Sequence, residues 1–107
     1  MPQNSERLQE AQDKLEQAKS VLSQNVPVDT SENLHERLNT LRSEGILDFE
    51  QFSDVFYTLK VPAIRTTHEV EIAETLGKLG YSCVNDPDLF EALQAEGERY
   101  EQQHGPA

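Results

Sequence analysis

Apolar residues recur through residues 5–24 at alternating steps of three and four: Leu8, Ala11, Leu15, Ala18 and Leu22. That period sets them on one stripe of a helix. Most other positions hold Ala, Leu, Gln, Glu or Lys, which favour helix. Glu10 stands four residues before Lys14, the favourable order for an ion pair along a helix. The same stripe has a second reading, as a short coiled-coil seam carried by Leu8, Leu15 and Leu22. It covers little more than two heptads, short of the roughly three or four of a convincing coiled coil. The spacing therefore predicts an amphipathic helix docked on its own domain. Pairing of that helix with its copy, giving a homodimer or assembly component, is the alternative.

The pattern breaks at Asn25-Val26-Pro27-Val28, because Pro27 pushes the preceding residue out of the helical region. Asp29 and Glu32 then have capping-box spacing. Leu34, Leu38 and Leu41 mark one face of the second helix, and Gly45 ends it. Asp48 and Gln51 form another box, followed by the stripe Phe52, Val55, Phe56 and Leu59, with Pro62 as the stop. Three of the four Phe lie between 49 and 56, which predicts that this third helix is the centre of the core.

Thr66 and Glu69 have box spacing again, ahead of Val70, Ile72, Ala73, Leu76 and Leu79. Gly77 costs that helix about 1 kcal/mol relative to Ala and suggests a close helix approach. Gly80 ends it, and Tyr81 to Val84 read as a very short extended segment or a connection. Asp86 caps the last helix with Pro87 at its first position, and Leu89, Phe90, Leu93 and Tyr100 give its apolar face. The reading is an all-α, single-domain bundle of about five helices with short loops. Residues 1–4 are expected as a disordered N-terminus and 104–107 as a disordered tail. Between them lies one helical domain, 5–103, made of the long helix 5–24 and a four-helix core over 30–103. The shorter helices are expected as two helix–turn–helix pairs with the first helix across them.

Charge changes the picture more than composition does. The 107 residues, enough for one domain, carry 20 Asp and Glu against 9 Lys and Arg, a net charge of −11. Such a field repels nucleic-acid phosphate and anionic membrane surfaces, and it favours a basic partner. Residues 61–107 hold nine acids and three bases, a net −6, against −5 over residues 1–60. Asp86, Asp88, Glu91, Glu96, Glu98 and Glu101 lie on or beside the last helix and are the candidate partner-binding residues. Cys83 is the lone cysteine and has no disulfide mate. No basic start followed by an apolar run marks a signal peptide, and no apolar run approaches the ~18 residues of a membrane span. The expectation is a cytoplasmic protein with no membrane partner.

Four constellations have residue types that could carry chemistry. Gly45-Ile46-Leu47-Asp48-Phe49-Glu50-Gln51-Phe52 resembles the second half of an EF-hand, but the register puts Arg42 at the loop's third position and Gln51 at its twelfth. A cation and an amide there leave no calcium ligand set. Glu32-x-x-His35 has the spacing of a carboxylate-bridged metal site, yet such sites need two pairs, and His68-x-x-Glu71 runs in reverse. Thr67 to Leu93 fits the outline of a DNA-reading helix–turn–helix, but its second helix opens with Asp86-Pro87-Asp88 and would meet phosphate with carboxylates. Cys83 with His35, His68 and His104 is the only raw material for a Cys–His nucleophile, and no elbow or phosphate loop accompanies it. Neither a catalytic residue, a metal site nor a cofactor is expected. The expected function is non-catalytic protein–protein interaction: a small acidic adaptor, regulator or inhibitor of a basic-surfaced partner. A nucleic-acid-mimicking blocker of a host enzyme, or the homodimer built on helix 5–24, is the alternative.

Overall fold

A computed structural model describes residues 2–24, 34–57 and 63–104. They form five helices: α1 (Pro2–Gln24), α2 (Leu34–Ser43), α3 (Phe49–Tyr57), α4 (Ala63–Lys78) and α5 (Pro87–His104). Among the described residues there is no strand, and the all-α bundle stands. α1 begins three residues earlier than expected, at Pro2. Proline suits a first helical position, where its missing N–H is one that no helix would use. α5 likewise runs on to His104. The expected cap at Asp29 and Glu32 lies outside the described residues.

Both predicted glycine stops form. Gly45 and Gly80 have φ of 79° and 90°, a region where side chains are strained. In each case the next residue's N–H reaches back to the third-last helical carbonyl: Ile46 to Leu41 and Tyr81 to Leu76, both at 2.9 Å. The Asp48–Gln51 box closes reciprocally, at 2.8 and 3.1 Å. The Asp86 carboxylate accepts from the Leu89 N–H at 3.3 Å.

The two turns that follow α2 and α4 interlock. Cys83 N–H donates to the Ile46 carbonyl at 3.0 Å, the Ser82 hydroxyl to the Gly45 carbonyl at 2.7 Å, and the Gln51 amide to the Cys83 carbonyl at 2.8 Å. This connection explains the largest departure from expectation: α3 is not the centre of the core. Gln51 bonds into the 81–86 turn, so Gln51 and Val55 take the buried face of α3. The aromatic stripe takes the rim: Phe52 and Phe56 are half-buried against the core, and Phe49 is 67% exposed.

α4 is the central element instead, packed against α1, α2, α3 and α5. A helix enclosed by neighbours is buried on more than one side, and Thr66, Glu69, Val70, Ile72, Ala73, Thr75 and Leu76 are all buried. Thr66 and Glu69 therefore form no cap; α4 starts earlier, at Ala63, directly after Pro62. α1 docks on α4 and α5 through Ala11, Leu15 and Ala18. Gly77 does meet a close neighbour, but it is the Ile46 side chain from the α2–α3 turn and not a helix.

A second tight contact involves Gly97, in the interior of α5. The Glu69 side chain lies so close that a Cβ at position 97 would overlap its carboxylate. Helix propensity alone favours Gly97→Ala by about 1 kcal/mol. Because Glu69 is only 1% exposed, overpacking outweighs that gain, and a net loss of about 1–2 kcal/mol is expected. Urea unfolding reads the effect; a raised midpoint would mean that Glu69 swings aside at no cost.

Candidate functional site

The six acidic residues of the last helix separate by position. Asp86 caps α5 and accepts from Lys14 at 2.9 Å, so Lys14 reaches across to α5 in place of the Glu10 pairing. Glu96 is 5% exposed and faces the bundle. It accepts from Lys19 of α1 at 3.1 Å, His68 of α4 at 3.0 Å and Arg99 of α5 at 2.6 Å. Burial alone would raise its carboxyl, but these three hydrogen bonds outweigh it and hold it down at about 2. Glu96 is thus a tie within the fold.

Asp88, Glu91, Glu98 and Glu101 remain on the outer side, half-buried or exposed. They span about 20 Å along α5 at 1.5 Å per residue. Among the described residues none of them has a cation at ion-pair distance.

The proposed seam on α1 is also redistributed. Leu15 is fully buried and Leu22 packs on the core, leaving Leu8 alone 51% exposed. Most of the stripe is taken up by the chain's own α4 and α5.

Around Glu96 lies a groove of about 420 Å³ between α1, α4 and α5, lined by Lys19, Leu22, Ser23, His68, Glu71, Glu96, Tyr100 and Gln103. The His68 ring stacks on Tyr100 at 3.8 Å between centroids, 10° from parallel. A His beside a carboxylate has the geometry of a general base, but Lys19 and Arg99 already neutralise Glu96. Cys83 belongs to the turn beyond the far end of α4, and burial, aided by Asp86 and Asp48, pushes its thiol up to about 12. His35 sits on the exposed side of α2, edge-on to Phe56 at 5.3 Å. Among the described residues, no three His, Cys, Asp or Glu side chains converge as metal ligands, and no helix is long and apolar enough to cross a membrane.

Two further cations also turn inward. Arg37 forks onto Glu74 across α2 and α4, and Arg65 bonds Glu69 at 3.0 Å within α4. Arg42 lies over the Phe49 and Phe52 rings at 5.8 and 5.5 Å. Glu10, Asp13, Glu36, Glu44, Glu50 and Asp54 are left exposed, and among the described residues none of them has an ion-pair partner. The convergence of Lys19, His68 and Glu96 had no sequence signal, since the three come from three helices. No protein-family model matches the chain, no curated protein matches it, and no solved structure matches it.

Glu69 behaves oppositely to Glu96. Burial raises its carboxyl to about 7, Arg65 counteracts only in part, and Glu101 and Glu98 add to the rise. An acid with a raised native pKa binds its proton more tightly when folded, so stability falls as pH rises from 4.5 to about 7. The fall from this group is on the order of 3 kcal/mol. Glu69→Gln is expected to flatten that part of the urea-stability profile; an unchanged slope would remove Glu69 as its cause. Glu96 has the other sign: the stability it supplies is present above pH 4.5 and lost as pH falls towards 2. Glu96→Gln should cost about 2–3 kcal/mol at pH 7, because it leaves Lys19, His68 and Arg99 without their carboxylate. The same variant should lose the acid-side decline, which chemical denaturation between pH 2 and 7 measures.

Proposed function

We propose that this chain is a non-catalytic interaction module whose acidic surface recruits a basic-surfaced protein partner, acting as an adaptor, regulator or inhibitor in the cytoplasm. The observation that carries this reading is the sorting of charge. Lys14, Lys19, Arg37, Arg65 and Arg99 are drawn onto Asp86, Glu96, Glu74 and Glu69. The surface is left more one-sided than the net charge implies. Asp88, Glu91, Glu98 and Glu101 form its densest ridge, along α5, with Glu10 of α1 close to its Asp88 end. Complementary charge of this kind steers encounter and excludes polyanions.

Mimicry of nucleic acid is the weaker reading. Phosphates recur every ~3.4 Å along one strand, whereas Gln94 and Ala95 interrupt the α5 ridge and leave a gap of about 10 Å of helix rise between Glu91 and Glu98. The ridge suits general attraction of lysine and arginine better than a copied backbone.

The experiment is affinity capture from the source cell at about 50 mM and 500 mM salt, a span that removes most screening-sensitive attraction. The chain is used as bait beside a variant carrying Asp88→Asn, Glu91→Gln, Glu98→Gln and Glu101→Gln. A basic protein retained by the native bait at low salt, and lost with the variant or at high salt, is the expected result. Capture indifferent to both changes, or no enriched protein at low salt, would overturn the reading.

A further inference from the structure

We propose that the contact between Glu69 and Gly97 is a proton-operated latch: it holds residues 98–104 of α5 against α4 while the Glu69 carboxyl is neutral, and lets them open when that proton passes to water. Glu69 is 1% exposed, and its carboxyl group and Cγ fill the space that a side chain at position 97 would take. Arg65, one turn earlier on α4, donates to Oε2 at 3.0 Å. Oε1 is buried and, among the described residues, has no hydrogen-bond partner. A neutral carboxyl in that seat leaves one weak acceptor unpaired. An ionised one leaves a buried charge half satisfied, which is strongly destabilising. The seat is closed on its far side by α5, so the ionised group reaches water when the turns around Gly97 lift.

The charges around the seat act in the same direction. On α4 the cation facing Glu69 is Arg65, and among the described residues no second cation pairs with it. On α5, Glu98 follows Gly97 and Glu101 stands one turn beyond it; both disfavour another negative charge, with burial the larger influence. Glu96 and Arg99 of α5, His68 of α4 and Lys19 of α1 are tied to one another. Arg37 of α2 turns to Glu74, and Glu50 and Asp54 of α3 are exposed. Glu96 also limits the movement. Its three hydrogen bonds fix α5 one residue before Gly97 and persist through neutral pH, because they hold its carboxyl down at about 2. Opening therefore takes about two turns of helix beyond that tie, and it separates Tyr100 from the His68 ring on which it stacks. With the closed carboxyl raised to about 7 and the opened one at its ordinary 4.5, opening grows as pH rises between those values and levels off above them. The latch is a property of the chain alone and stands or falls independently of the acidic recruitment proposed above.

The test follows the full chain by NMR, reading the Glu69 carboxyl carbon and the amide hydrogen exchange of α5, the latter corrected for its intrinsic pH dependence. The carboxyl is expected to titrate near neutral pH. Opening of residues 98–104 should rise about tenfold or more between roughly pH 5.5 and 7.5. That exchange should be insensitive to about 1 M urea, the mark of local opening, whereas amides earlier in α5 follow the urea-sensitive unfolding of the whole chain. Glu69→Gln, a permanent stand-in for the neutral carboxyl, should keep residues 98–104 closed at both pH values. Glu98→Gln with Glu101→Gln should move the midpoint of the carboxyl and of the opening together to lower pH. Titration of Glu69 in the ordinary carboxylate range would overturn the proposal. So would titration near neutral pH without opening, since the side chain then swings out alone. A pH response that survives Glu69→Gln would assign the opening to His68 instead, and a response that is urea-sensitive throughout would make it global unfolding; either outcome removes the latch.

Discussion

A carboxylate withdrawn from water costs several kcal/mol unless it is repaid by charge and hydrogen bonds, and the α1–α4–α5 side of this bundle is organised around that constraint. Glu96 meets it from three helices at once, through Lys19, His68 and Arg99. Charge-assisted hydrogen bonds are about twice as strong as neutral ones, and three of them are enough to keep the group ionised far below its ordinary range. Two of the donors also tie helices together: Lys19 binds α1 to α5, and His68, stacked on Tyr100, binds α4 to α5. Glu69, packed on Gly97, has one cationic partner and a second oxygen that, among the described residues, has none. The two carboxylates lie at the same helix–helix contact and differ in the number of donors supplied, which accounts for their opposite shifts.

That internal demand sets the outer surface. Every cation drawn onto a buried or half-buried acid is one fewer to balance the acids outside. The chain has 9 Lys and Arg in all, and five of them are engaged in this way. Exposed ion pairs contribute little to stability, about 0–1 kcal/mol each, so the surface acids lose little by standing alone. A fold that needs its cations inside and tolerates bare carboxylates outside becomes electrostatically one-sided without any single residue being placed for that purpose.

Much of this architecture was legible from local rules. The glycine stops at Gly45 and Gly80, the reciprocal box at Asp48 and Gln51, and the Asp86-Pro87 start each depend on a few adjacent residues, and each forms as the spacing predicts. What local rules missed is tertiary. Three phenylalanines imply a central helix only if their face turns fully inward, and the hydrogen bond from Gln51 to the 81–86 turn leaves that face on the rim of the core. Thr66 and Glu69 look like a cap, yet α4 is enclosed on several sides and buries both. Leu8, Leu15 and Leu22 are equivalent along the sequence but not in the fold, where two are covered and one is exposed. Among the candidate acids, Glu96 was inseparable from Glu98 because the cations that claim it arrive from α1 and α4.

Steering and anchoring are distinct requirements, and the surface answers them in different places. A net field acts out to roughly 8 Å at physiological salt and chiefly raises the rate of encounter. Lasting affinity comes from apolar groups that leave water on binding, most often aromatic ones. The α5 ridge has the first property and little of the second, since Gln94 and Ala95 are what separate its carboxylates. Exposed apolar surface lies elsewhere and is scattered: Leu8 on α1, Phe49 and Tyr57 at the two ends of α3, and Val84 in the 81–86 turn are the large hydrophobic side chains left in water among the described residues. Phe52 and Phe56, between the ends of α3, are packed against the core, so the bundle keeps the middle of that aromatic row for itself and the field of the surface acids stands apart from the few apolar groups beside it.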